Sequence, residues 1–463
     1  MRSYPRAPRA VLAWRFALPV AMRPVLSLVA LLALAACATA DVSGPGSPAS
    51  PAASLAPLPE APVIYEVFVR SLTPEGTIRA ATTRLDSIRA LGVDVVWLMP
   101  IHPVGELNRK GRLGSPYAVR DYRGVDPALG TVDDVRAFVG AAHTRGLRVI
   151  LDWVANHTAP DHPWVTSHPE WYTAGPGGER PVPPAGTDWI DVADLDFSAP
   201  GLARAMTDEM AFWVRDVGVD GFRCDIAASV PEAFWTPALA ELKLIRPDLF
   251  VLAEAEEPWL GRAGFDASYG WATYGALKTV WQTGDPAPFV AAALAEQATP
   301  PTAAPMHFIT NHDETSWDKA AVELWGGPAG MRAAMAAAYG LGGATLIYNG
   351  QEAAAPQRMN LFEDETVSYA GPSLRADLAR WAEIRRAYPV LVSGRTEALD
   401  VAGAIAYTRT LGPSLAVVVV NPTAEARRVS LPVPLDGLTD AFGRGVAERR
   451  VSLEPYGFRV FVR

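Results

Sequence analysis

From Pro62 onward the chain repeats one rhythm, in which short runs rich in β-branched and aromatic residues are separated by longer stretches rich in Ala, Arg and Leu. Such alternation predicts parallel strands joined by crossover helices. Strands are expected at 63–69, 93–100, 147–154, 219–225, 250–254, 265–269, 306–311 and 344–348, with helices near 77–90, 131–145 and 202–217. Gly146 is placed to close the second of these helices. Units of this kind closing on themselves give an α/β fold, a (β/α)8 TIM barrel.

The rhythm breaks in two places. Between the third strand and the helix near Leu202 runs an irregular stretch holding Trp164, Trp171, Trp189 and the run Gly175-Pro176-Gly177-Gly178. A loop that long inside a compact domain is usually functional, so a short inserted domain is expected at 158–200 after strand three. Beyond Pro389 the crossover helices stop, and 404–409, 415–420, 428–431 and 458–462 read as strands separated by turn residues. This predicts a barrel over 63–389 and a C-terminal antiparallel β domain over 390–463.

The formal charge is -9, and the arginines at 2, 6, 9, 15 and 23 meet no acid before residue 38, so the remainder is more acidic still. That argues against nucleic acid and anionic lipid as partners. Residues 24–36 are apolar but too short to span a bilayer, and follow Met22-Arg23 in the manner of a signal peptide. Leu34-Ala35-Ala36-Cys37 resembles a bacterial lipoprotein box, which implies an exported protein held to a membrane only through lipid on Cys37. Residues 38–62, rich in Ala, Pro, Ser and Gly, read as a tether. With Cys37 so used, Cys224 alone remains and no disulfide framework is available.

In a barrel of this kind chemistry collects where strands end at the carboxyl face. The expected strand ends carry Asp152, Asn156 and His157, then Arg223 and Asp225, then Glu254, then Asn311, His312 and Asp313. Arg223 and Asp225 sit two apart, so in extended chain both point to one side. A pair of carboxylates suits glycosidic cleavage, because one must attack or stabilise an oxocarbenium-like centre while the other protonates the leaving oxygen. The chain has no nucleotide-binding glycine loop, no HExxH and no EF-hand loop.

Asp152-Trp-Val-Ala-Asn156-His157, Gly221-Phe-Arg223-Cys-Asp225, Ala253-Glu254 and Phe308-Ile-Thr-Asn311-His312-Asp313 resemble the four signature regions of the α-amylase family, glycoside hydrolase family 13. Gly114 to Tyr122, Asp194 to Phe197 and Ile347 to Glu352 agree with the same resemblance. It implies a retaining mechanism on α-linked glucose, with Asp225 as nucleophile, Glu254 as acid/base and Asp313 stabilising the transition state. Tyr117, Asp152, His157, Arg223 and His312 would bind the sugar that is attacked, and an α-glucan or maltooligosaccharide would be the substrate. Where starch-type members often carry Lys-His after the nucleophile, this chain carries Ala228-Ser229, which removes an acceptor-side lysine. Rival readings are an α-glucan transglycosylase or disaccharide isomerase on the same residues, and an inactive glycan-binding lipoprotein. The family often holds calcium through the equivalent of Asn156. The inserted segment's acids, Asp161, Glu170, Glu179, Asp188, Asp191, Asp194 and Asp196, show no regular ligand spacing, so no cofactor and no calcium dependence are expected. Nothing in the pattern sets an oligomeric state.

Overall fold

The structure, a computed structural model, describes residues 55–298, 303–445 and 449–463. The expected signal segment, Cys37 and most of the tether lie outside the described residues.

Eight parallel strands close into a barrel: β1 (Val63–Val67), β2 (Val95–Leu98), β3 (Arg148–Trp153), β4 (Gly221–Cys224), β5 (Phe250–Ala253), β6 (Ala267–Tyr269), β7 (Ala304–His307) and β8 (Ala344–Tyr348). Each pairs with its neighbours in chain order, and β8 closes on β1 through Val63 opposite Thr345. All but β7 are buried at every residue, as parallel strands covered on both faces must be. Gly221 is required by this closure, since a Cβ there would lie 1.7 Å from the Phe250 carbonyl oxygen.

Helices follow their sequence signals, with three local departures. The helix Val132–His143 starts on a capping box between Thr131 and Asp134, and Gly146 turns the chain with φ of +70° into β3. The expected helix 77–90 is two short ones, Ile78–Thr82 and Leu85–Arg89, broken at Thr83-Arg84. The expected helix 202–217 is α-helical only to Phe212 and ends in a π-turn, Trp213–Val217, because Gly218 and Val219 both donate to the Trp213 carbonyl. The seventh strand stops at His307, before the expected 311, and Asn311 instead caps a short helix, His312–Trp317, by accepting from the Glu314 amide.

The amino end of the barrel is tied by acids placed just before even-numbered strands. Asp94 accepts from Val63 N at 2.9 Å, Asp220 from Val149 N at 2.7 Å and Asp266 from Val251 N at 2.8 Å. Fully buried Asp220 also meets Arg246 Nη2 at 2.6 Å and His143 Nε2 at 2.8 Å. These groups hold the end opposite the chemistry, where such residues serve stability.

After β3 the chain leaves the barrel, pairs His157-Thr158 against Ala193-Asp194 in a small antiparallel ladder, and returns at the helix Leu202–Phe212. The carboxyl-terminal region is antiparallel. A sheet ordered β9 (Arg395–Ala398), β10 (Ile405–Leu411), β11 (Ser414–Val420), β15 (Phe458–Val462), β13 (Thr439–Asp440) packs over the pair β12 (Arg427–Ser430) and β14 (Arg450–Leu453). Alternation along β11 serves two cores. Val417 and Val419 face Val429, Val451 and Leu453, whereas Ala416, Val418 and Val420 join the barrel's apolar core.

Candidate active site

The sugar-binding and catalytic candidates read from the sequence meet at the carboxyl end of the barrel around one guanidinium. Arg223, on β4, is fully buried, and its Nη1 donates to Asp152 Oδ1 at 2.9 Å and to Asp225 Oδ1 at 2.8 Å. The two-residue spacing of Arg223 and Asp225 thus places them on one side, as extended chain requires. Its Nη2 stands 3.0 Å from Glu254 Oε2, an ion-pair contact without the alignment of a hydrogen bond. Trp97 and Tyr269 present their ring faces to the cation at 5.0 and 5.6 Å. A buried arginine so enclosed is held by three carboxylates and is the counter-charge for all of them.

Glu254 follows β5 directly, and burial pushes its carboxyl up to about 8, with the Asp225 and Asp313 charges adding to the push and Arg223 opposing it. Its Oε2 accepts from Ile226 N at 2.8 Å. Ile226 reaches that position with φ of +34° and ψ of +49°, a left-handed conformation that a β-branched side chain adopts only under strain. The residue after Asp225 therefore aims its amide at the second carboxylate, which couples the two acids through the backbone.

Asp152 is buried and raised to about 7, again by burial first, with Arg223 lowering and Asp225 raising it. Its Oδ2 accepts from Trp97 Nε1 at 3.2 Å and from the Tyr117 hydroxyl at 3.1 Å. The Tyr117 oxygen in turn lies 2.7 Å from His312 Nε2, and the rings stack at 5.5 Å. On its other side His312 Nδ1 meets Glu66 Oε1 at 2.5 Å. With the tyrosine proton given to Asp152, both ring nitrogens of His312 face acceptors, which suits an imidazolium. Burial alone would lower this histidine, but the Asp313 and Glu66 carboxylates outweigh it and bring it to about 9.

Asp313 lies in the first turn of the helix His312–Trp317, one third exposed, with Oδ1 3.5 Å from His312 Nε2 and accepting from Trp317 Nε1 at 3.3 Å. His157, buried at the start of the excursion, packs edge-on against Trp189 with 5.8 Å between centroids, and burial lowers it.

The structure adds residues that the strand-end argument passed over. Glu66, fully buried in β1, reaches His312 and leaves its Oε2 without a partner. The signal was present, because a lone acid inside an all-apolar strand is costly unless something uses it. Ile226, Trp97 and Tyr269 had no such signal, since each reads as ordinary packing.

The residues weighed for calcium each have protein partners, and the Asn156 and Asp194 side chains also meet each other. Asn156 turns its amide to His157 Nδ1 at 3.3 Å, buried Asp191 is paired with Lys110 Nζ at 2.8 Å, and Asp194 Oδ2 accepts the Thr173 hydroxyl at 2.7 Å. Among the described residues no three or more His, Cys, Asp or Glu side chains group together as a metal site.

Comparison with known proteins agrees on the family and divides on the reaction. A family model described as alpha amylase, catalytic domain, matches residues 47–175. The α-amylase MalA of Haloarcula japonica is 33% identical over 402 residues, covering 82% of this chain and 58% of that protein. The α-1,4-glucan:maltose-1-phosphate maltosyltransferase of Arcanobacterium haemolyticum is 37% identical over 243 residues, covering 45% of this chain and 35% of that protein. The chain thus spans between about a third and three fifths of these curated relatives. Among solved structures, an α-amylase from Lactobacillus plantarum superposes with a TM-score of 0.77 at 29% identity, over 87% of this chain and 99% of that one. A noncanonic maltogenic α-amylase from Thermotoga neapolitana gives 0.74 at 28%, over 87% and 96%.

Proposed function

The chain belongs to the α-amylase family, and from that premise we propose that it is a retaining glycoside hydrolase acting on short α-linked glucose oligosaccharides. The observation that carries the reading is the unequal pair at the barrel mouth. Asp225 is tied to the Arg223 guanidinium, while Glu254 is held protonated at neutral pH by its buried setting. Two carboxyl groups in such different environments are what an acid and a nucleophile need.

In this mechanism the Asp225 carboxylate attacks the anomeric carbon as Glu254 gives its proton to the departing glycosidic oxygen. Asp313 faces the positive charge that builds on the ring, and water, deprotonated by the now ionised Glu254, then releases the sugar with its configuration kept. The His312 imidazolium, Tyr117, Asp152 and His157 hold the attacked unit's hydroxyls. The Glu254 amide donor, Ile226 N, keeps that carboxyl aimed through both halves of the cycle.

A second reading, transfer of the glycosyl group to another sugar, is favoured by the likeness to maltosyltransferases over nearly half the chain. Both readings share every residue above and differ in what intercepts the glycosyl intermediate. Chromatography of products from maltooligosaccharides, trehalose, sucrose and isomaltose, with and without an added acceptor sugar, separates them. Hydrolysis predicts shortened oligosaccharides and glucose regardless of acceptor; transfer predicts new acceptor-linked products. Failure to cleave any α-glucoside would refute both.

A further inference from the structure

Glu254 follows β5, which the strand order puts across the barrel from β1. A leaving group protonated by Glu254 therefore departs on the β5 side. In a pyranose ring C4 lies opposite C1, so the 4-hydroxyl of the attacked unit, where the preceding unit of an α-1,4-linked chain is attached, points to the side of β8, β1 and β2. What stands on that side decides whether a glucan can run on past the site.

Loop 105–113, after β2, is joined there to segment 359–367, after β8. Leu113 N donates to the Phe362 carbonyl at 2.9 Å, Arg112 N donates to Glu363 Oε1 at 3.0 Å, and a Cβ on Gly111 would come within 2.6 Å of Phe362 Cβ. Buried Arg70, just past β1, ties the two segments together, its Nη1 donating to the Gly114 carbonyl at 3.3 Å and to the Leu361 carbonyl at 3.1 Å. Phe68, Met99 and Tyr348, at or just past the ends of β1, β2 and β8, form one apolar cluster with Met359, Leu361 and Val367, so the join is packed with side chains. The loop is also fastened to the inserted segment, through Lys110 Nζ to buried Asp191 at 2.8 Å and Asn108 Nδ2 to the Ile190 carbonyl at 3.1 Å. The pairs of Arg112 with Glu363 and Asp364 are exposed and add little, so the firmness of the join comes from the buried contacts. On the far side Phe362 meets Trp317, which reaches Asp313, and next to Ile190 Trp189 packs on His157. Contacts thus run from Asp313 past β8, β1 and β2 to His157 and form a wall.

Across the barrel, on the Glu254 side, the rim residues Ala228, Ser229, Glu256 and Glu257 are all exposed, and the first two are small. A chain leaving on that side meets solvent. Resting on the proposed cleavage, we infer that the wall makes the site a blind-ended pocket that takes an α-glucan by its non-reducing end, so that the protein trims chains from that end and does not cut within them. Specificity of this kind is set by what cannot fit, with loop 105–113 as the barrier.

The test follows products by chromatography from three substrates: maltoheptaose, maltoheptaose whose non-reducing terminal 4- and 6-hydroxyls are capped by an ethylidene acetal, and β-cyclodextrin, which has no end. Maltoheptaose is expected to be cleaved faster than either of the others by a factor of about ten or more. A smaller ratio for the capped or the cyclic substrate would overturn the blind-ended pocket while leaving the proposed function standing. Failure to cleave maltoheptaose itself would overturn both. The double variant Lys110→Ala, Arg112→Ala, checked for folding by its melting curve, loosens the loop on both sides; it is expected to cleave capped maltoheptaose about tenfold faster than the parent, with the rate on uncapped maltoheptaose kept within about threefold. A folded variant with no gain on the capped substrate would overturn loop 105–113 as the barrier.

Discussion

Replacing Glu254 by Gln should make the protein less active and, at alkaline pH, more stable. The carboxyl is raised from an ordinary 4.5 to about 8, so the folded state holds a proton that the unfolded chain has released. The sign follows from linkage: stability falls as pH rises through the interval between the two values, because the folded state is then the one binding more protons. Between pH 5.5 and pH 8 this single group should cost wild type ~3 kcal/mol relative to a variant that cannot ionise there. For a chain of this size, an unfolding entropy of about 2.1 cal/mol/K per residue converts this to roughly 3 °C. The assay is thermal melting of both proteins at the two pH values. Buried His102 and His162, lowered to about 4 by burial, are charged alike in both proteins and cancel in the comparison. Activity should drop by roughly 10²- to 10⁴-fold, the range a lost general acid commands. Parallel melting-temperature curves for variant and parent across this range would refute the reasoning, since Glu254 would then carry no excess proton.

Asp220→Ala, at the opposite end of the barrel, leaves Arg246, His143 and the Val149 amide without their shared acceptor; it should cost about 3–5 kcal/mol in denaturation while kcat/KM of the folded fraction is unchanged. Incubation with a chelator should leave the melting temperature where it was, and a fall restored by added calcium would reveal a donor set outside the residues considered above. Cys37→Ser should move the protein from the membrane to the soluble fraction; identical fractionation of mutant and parent would contradict lipid attachment.

The barrel was legible because parallel strands covered on both faces must be largely apolar, and runs such as Val93 to Met99 and Leu147 to Val154, each bounded by helix-like stretches, leave few alternatives. The convergence of Asp152, Arg223, Asp225 and Glu254 was legible for a related reason, since strand ends in a closed barrel share one mouth. Element boundaries were less so. Asp313 looked like a strand-end residue but sits in a helix turn, because Asn311 satisfies the Glu314 amide and starts a helix that apolar periodicity does not announce. Ile226 was invisible because backbone strain is imposed by tertiary contacts, here the demand for an amide facing Glu254, and has no signature in composition.

The central claim is that Asp225 attacks the sugar while Glu254 serves first as acid and then as base. Proton NMR of the first product formed from maltotriose, recorded before mutarotation, tests it most directly, because two displacements return the starting configuration and one inverts it. The account predicts the α-anomer in wild type and no product above background in Asp225→Ala. Release of the β-anomer, or undiminished turnover by Asp225→Ala, would contradict it.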